Sequence, residues 1–204
     1  YLAPEVLQGK LFTQAVDIYA FGVVMAEMTT GQRPFDGYKF DQNLAVKICM
    51  GLRPEFTPGT PECYIELAKQ CMDPEPQKRP NVKELNLELY NLYKIINSDK
   101  SSLDDSSGTY INNQFYKVDI IINQFLDADE KIKELPIVEQ RHPDHMYTSK
   151  LINAQKIIKS LSQIIGSNPV SDVEIRLCLY FISSRFLRIN LHAKFFFKNF
   201  LYSC

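Results

Sequence analysis

The sequence predicts a mainly α-helical fold, on three observations. The run from Gln14 to Thr30 carries only two charges, Asp17 and Glu27, among apolar residues on every side of a helical wheel. Three later stretches repeat apolar residues at helical spacing. No stretch alternates apolar and polar residues convincingly, as a half-buried strand would.

Each element follows from its own residues. The 14–30 run is too long for a strand, so it reads as a helix that must be buried all round. Thr13 is its expected N-cap, Gly31 its stop, and Pro34 prevents continuation. Leu44, Ala45, Ile48 and Cys49 form the next apolar stripe, ending at Gly51 before a turn-rich stretch from Arg53 to Pro61. Tyr64, Leu67, Ala68 and Cys71 then fall at i, i+3, i+4, i+7, behind Thr60 as N-cap and Pro61 at the first helical position. Asn81 and Glu84 have capping-box spacing, and Val82, Leu85, Leu89, Leu92 and Ile96 continue an apolar face.

The serine- and aspartate-rich segment 97–109 lacks the apolar residues to order itself and reads as a flexible linker. Beyond it, a helical tail is expected over 110–165. Ile111, Phe115, Val118, Ile122 and Phe125 repeat at helical spacing up to Pro136, a second helix runs from about Tyr147 to Ile165, and the two are expected to pair as a helical hairpin. The last segment, 166–204, is expected to be poorly ordered or non-native. From Ile175 onward it holds eight aromatic and five basic residues and no acid. That composition suits a membrane surface, but caps and a consistent period are lacking, which favours read-through into non-coding sequence. Its longest apolar run, Leu177 to Ile182, falls far short of the roughly 20 residues that span a bilayer.

Four motifs, in order and at consistent spacing, carry a family resemblance. Ala3-Pro4-Glu5 resembles the Ala-Pro-Glu motif that closes the activation segment of eukaryotic protein kinases. Thr13 to Gly22, reading Thr-Gln-Ala-Val-Asp-Ile-Tyr-Ala-Phe-Gly, resembles the segment that opens the central buried helix of the kinase large lobe. Gly31 to Phe35 reads Gly-Gln-Arg-Pro-Phe, and Cys71 to Pro80 resembles the Arg-containing loop before the last helix of that lobe. The resemblance covers residues 1–96 and implies the C-terminal (large) lobe of the kinase fold, entered mid-domain. Asp-Ile-Tyr-Ala-Phe-Gly and Cys-Met-Asp-Pro lean toward the tyrosine-kinase-like group of Ser/Thr kinases. The run His142 to Asn153 resembles tails that follow kinase-like domains in some large fungal families.

Phosphoryl transfer needs a phosphate-covering loop, a phosphate-contacting Lys, metal-binding carboxylates and a catalytic Asp. The eight glycines include no Gly-x-Gly pair, and neither His-Arg-Asp nor Asp-Phe-Gly occurs. No catalytic, cofactor-binding or metal residue is therefore assigned. ATP and Mg are expected only of a full-length kinase, and this chain alone is expected to be inactive. The resemblance implies that Tyr1 and Leu2 belong to the end of the segment that positions a peptide substrate. It also implies that Ala3, Pro4, Glu5, Asp17 and Arg79 are structural, with Glu5 and Arg79 forming a long-range clamp rather than two unrelated surface charges. Asp17 matches an Asp that holds the catalytic-loop backbone; without that loop it is expected near solvent or capping its own helix.

A formal net charge of −1 gives no nucleic-acid footprint. Five cysteines without Cys-x-x-Cys spacing point to reduced thiols, with Cys63 and Cys71 core-facing. His142, Asp144 and His145 have the look of a metal cluster, but no fourth ligand is near and a bland loop is the better reading. The expected partners are proteins, as substrate or binding partner, with no transmembrane segment. The family implies a cytoplasmic setting, with the nucleus as alternative. Two functions remain in view: a Ser/Thr protein kinase fragment, or a non-catalytic kinase-like module that binds proteins.

Overall fold

Seven α-helices and one β-hairpin carry the described residues of the computed structural model, which are 1–97, 108–111, 114–134 and 152–165. The short α1 (Pro4–Leu7) leads into the long α2 (Gln14–Thr30). Thr13 takes the N-cap of α2 in extended conformation, and its carbonyl accepts the Val16 N–H at 2.9 Å. Gly31 ends the helix in the left-handed region, at φ 63°, where a residue without Cβ is under no strain.

Against α2 lies α4 (Glu62–Cys71). The two cross at Gly22, where a Cβ would come within 2.8 Å of the Ala68 carbonyl oxygen, Cys71 Cβ and Met72 Cγ. Only a glycine permits that approach. The Tyr64 hydroxyl, buried in the same contact, donates to the Met25 carbonyl at 3.1 Å. The expected burial of α2 on every side is corrected. Val16, Ile18, Tyr19, Val23, Met25 and Ala26 are buried, but Asp17 is exposed and Ala20, Phe21, Val24 and Met28 are half-buried. Those five residues share one helical face, and the elements that pack on α2 meet its other sides.

α3 (Gln42–Cys49) is capped by Asp41, whose carboxylate accepts the Asn43 and Leu44 N–H groups at 2.8 and 3.3 Å. The start of α4 lies one residue later than expected. Pro61 is the N-cap, and the Thr60 hydroxyl donates to the Thr57 carbonyl instead. α5 (Val82–Ile96) opens on the Asn81–Glu84 capping box. Its Leu85, Leu89, Leu92, Ile95 and Ile96 are buried, whereas Val82, expected on that face, is 60% exposed because the helix meets the core only from Leu85 onward.

The tail differs more from expectation. Ile111 and Phe115 do not continue a helix: β1 (Gly108–Ile111) and β2 (Gln114–Lys117) form an antiparallel hairpin, with Gly108 opposite Lys117 and Ile111 opposite Gln114. α6 (Val118–Glu134) starts directly after it. Nor do the two tail helices form a hairpin as their main contact. α6 lies on α5, and α7 (Ala154–Ile165) lies on α3. Each finds more apolar surface on the lobe than a single narrow helix face could offer it.

Two clusters of buried residues result. The larger joins α1, α2, α4 and α5 with Val118, Ile121, Ile122 and Phe125 of α6. The smaller joins Leu7 of α1 with Leu44, Ala45, Val46 and Ile48 of α3 and Ile157 and Leu161 of α7. Among the described residues no helix is long and apolar enough to cross a membrane. Of the linker expected over 97–109, residues 98–107 lie outside the described residues, while Gly108 and Thr109 belong to β1 and pair with β2 instead; the His142, Asp144 and His145 group and the segment 166–204 also lie outside the described residues.

Candidate functional site

Arg79 is the centre of the most densely bonded site in the lobe. Asp73 begins a turn by accepting the Glu75 N–H at 2.8 Å, and a 3₁₀ turn over Pro76–Lys78 follows. The chain then extends at Arg79 and sends its side chain inward, where it is 0% exposed. The guanidinium donates in parallel to both Glu5 carboxylate oxygens, at 2.7 and 2.8 Å. Its remaining reach goes to the Ala15 carbonyl and the Asp73 carbonyl, each at 2.8 Å. A planar fork with five N–H donors suits this geometry, and a lysine could not reproduce it.

The clamp therefore ties α1, the start of α2 and the loop before α5 to one point. Glu5 sits in α1, a helix opened by Pro4 with all four residues buried. Ala3, 0% exposed, precedes it, and the Cys49 thiol of α3 donates to the Pro4 carbonyl at 3.6 Å. Burial acts to raise the Glu5 carboxyl, but the Arg79 hydrogen bonds and charge outweigh it and hold the group below its ordinary value.

Tyr19 lies beside the clamp, with the Arg79 and Arg53 guanidinium carbons 5.0 and 5.2 Å from its ring centre. Both cations are placed to use the ring face. The Tyr19 hydroxyl is buried with no hydrogen-bond partner among the described residues, and burial pushes its pKa up to about 12. Arg53 donates to the Met72, Ile48 and Leu52 carbonyls at 2.8 to 3.0 Å, joining the ends of α3 and α4.

At the chain's first residues, the Tyr1 hydroxyl donates to the Glu27 carboxylate. Glu27 is only 6% exposed, and burial raises its carboxyl above the ordinary value despite that hydrogen bond. Leu2 is half-buried and touches both core clusters. The structure thus brings Ala3, Pro4, Glu5 and Arg79 together and sets Tyr1 and Leu2 beside them. Asp17 stands apart, exposed in the first turn of α2.

Residue-by-residue reading missed Tyr19, Glu27, Arg53 and Gly22. Glu27 carried a signal: one of two charges in an otherwise apolar run has to find a partner or shift its pKa. Chemically, the arrangement fixes backbone. The Cys63 and Cys71 thiols are 0% exposed and pushed up to about 12 by burial, so they stay protonated. Among the described residues no three of His, Cys, Asp or Glu converge as a metal site.

Comparison with known proteins places these motifs. Residues 1–89 match the family model described as protein tyrosine and serine/threonine kinase. The serine/threonine-protein kinase/receptor R818 of Acanthamoeba polyphaga mimivirus is 34% identical over 92 residues, 45% of this chain and 6% of that protein. Cyclic GMP-binding protein C of Dictyostelium discoideum is 40% identical over 83 residues, 39% of this chain and 3% of its own. The dual specificity protein kinase shkA of the same organism is 37% identical over 90 residues, 44% of this chain and 17% of its own. The chain therefore spans between 3% and 17% of the length of these relatives.

Proposed function

We propose that residues 1–89, which match the protein tyrosine and serine/threonine kinase family model, serve as the substrate-positioning and closing part of a Ser/Thr kinase large lobe. The observation that carries this reading is the buried bidentate pair of Glu5 and Arg79. It anchors α1, and with it Tyr1 and Leu2, to the loop before α5. A segment that must hold a peptide hydroxyl in line for transfer has to be fixed to the rigid core, because catalysis of phosphoryl transfer is mostly positioning and electrostatics. In a complete catalytic domain the clamp would supply that rigidity.

The chain's own residues do not fit ATP and Mg. No phosphate-covering glycines, no catalytic-loop Asp and no metal carboxylates occur in the sequence, so no step of the reaction is assigned to it. The 204-residue chain by itself is inactive, and a protein substrate, ATP and a cytoplasmic setting belong to the complete kinase. The test is calorimetry with ATP and Mg together with a peptide phosphorylation assay on the purified chain. Neither binding nor transfer is expected, and ATP binding in the micromolar range would overturn the reading. Sequencing the transcript upstream of the Tyr1 codon distinguishes the kinase from a stand-alone binding module. In-frame His-Arg-Asp and Asp-Phe-Gly codons support the first, and a stop codon and promoter support the second.

A further inference from the structure

α7 meets the lobe differently from α6. Where α6 sends four residues into the main core, α7 anchors Ile157, 0% exposed, and Leu161, 9% exposed, in the separate smaller cluster. Ala154, Ile157 and Leu161 stand on one face at i, i+3 and i+7, while Lys156, Lys159, Gln163 and Ile164 are exposed. The side-chain hydrogen bonds of α7 among the described residues stay within its own helix: the Ser160 and Ser162 hydroxyls donate to the Lys156 and Ile158 carbonyls at 2.9 Å. This is an amphipathic helix laid in an apolar groove, held by its anchors and by no described polar lock.

The groove has walls of its own. Leu7 is set by α1, which the Glu5–Arg79 clamp and the Cys49–Pro4 hydrogen bond hold in place. Leu44, Ala45 and Ile48 are set by α3 under its Asp41 cap. Phe35, at φ 62°, holds a backbone conformation that bulky residues rarely adopt, and it packs at the groove's edge. Such a conformation persists where the surroundings over-determine it. None of these devices involves α7.

We propose that the α1–α3 groove is a helix-binding surface and that α7 is its exchangeable occupant in cis. The surface recognises an amphipathic helix with Ile and Leu at i and i+4. Because α7 and the groove belong to one chain, α7 meets the groove at an effective concentration on the order of millimolar. Free helices at micromolar concentration are therefore excluded until α7 leaves. The inference stands independently of the kinase reading, since it rests on the packing of α1, α3 and α7 alone.

The experiment uses the full chain and a fluorescein-labelled peptide of residues 152–165, followed by anisotropy, with hydrogen exchange as the fold control. Ile157→Asp removes the central anchor and frees the groove. The expected result is peptide binding at least about tenfold tighter than to the unaltered chain, because the tethered competitor is gone. Amide protection in α2 and α4 should be retained. Adding Ala45→Glu on the groove wall should abolish the peptide binding again. Three results would overturn the proposal. One is no peptide binding by Ile157→Asp with α2 and α4 still protected. Another is collapse of their protection in both Ile157→Asp and the milder Ile157→Ala, which would make α7 an integral part of the core. The third is light scattering showing a dimer that Ile157→Asp dissociates, which would place the occupant in a second copy.

Discussion

Arg79 reaches the protein interior charged, and every favourable contact it makes depends on geometry that only an arginine supplies. Replacing it with alanine would strand the Glu5 carboxylate in a site where it is 6% exposed, which costs about 3–5 kcal/mol for a buried pair against about 0–1 for an exposed one. The expected outcome for Arg79→Ala is the larger loss, read by urea denaturation. The pair also sets a pH dependence. The folded Glu5 pKa lies below its unfolded value, so its contribution is fully present above the unfolded pKa of about 4.3 and is lost as pH falls through the folded one. The stability gap between the unaltered chain and Glu5→Gln should therefore be widest near about pH 6 and shrink below about pH 4. Glu27 pulls the opposite way, since burial raises its carboxyl and makes its ionised form unfavourable in the folded chain. Comparing Glu5→Gln with the unaltered chain removes that opposing slope, because both retain Glu27.

Helix–helix contacts show how little freedom the elements have. At Gly22 two effects of substitution oppose each other. Alanine in a helix interior is favoured over glycine by about 1 kcal/mol. Overpacking a close contact costs about 1–3 kcal/mol. The contacts that a Cβ would meet at 2.8 Å include the Ala68 carbonyl oxygen and Cys71 Cβ, neither of which can rotate away. The clash should win, so Gly22→Ala is expected to lower stability by up to about 2 kcal/mol and to shift near-ultraviolet circular dichroism through displaced Tyr19 and Tyr64. An unchanged or raised melting temperature would show that α4 slides to make room. At the opposite extreme, the α5 capping box uses only neighbours in sequence, so it was readable without any packing knowledge.

At the scale of the whole molecule, the tail and the helices over 1–96 form a shared interior. Ile121 of α6 is 0% exposed and belongs to the cluster that contains Val23, Leu67 and Leu89. Ile121→Ala is expected to cost about 2–5 kcal/mol and to lower the melting temperature of the lobe itself. A fluorescence probe in the α2–α4 contact and one in α6 should report one transition. Two separated transitions would show that the tail folds on its own. The Tyr116 hydroxyl, which donates to the Glu66 carboxylate, adds a polar link between the hairpin and α4. The half-buried stripe of Ala20, Phe21, Val24 and Met28, with Leu11 84% and Phe12 58% exposed nearby in sequence, leaves apolar surface open on the lobe. Hydrophobic-dye binding is the expected consequence.

Local signals in the chain were sufficient for α2, α3, α4 and α5: their apolar periods, the Gly31 stop and the Asn81–Glu84 box act between residues a few positions apart. The family motifs named Glu5 and Arg79 together, which no periodicity could have done. What remained illegible was one local element with an ambiguous signal, and the non-local packing. The hairpin over 108–117 left only two short β-prone runs joined by the two-residue spacing of Asn112 and Asn113, and Ile111, Phe115 and Val118 fit a helix equally well. Periodicity states that a face of α6 and of α7 must be buried, but the hydrophobic effect is non-directional and names no partner. Only the assembled structure chose α5 for one and the α1–α3 groove for the other. The open side of α2 and the burial of Glu27 beside Tyr1 were likewise decided in three dimensions, because both depend on which surfaces the chain brings together across long separations.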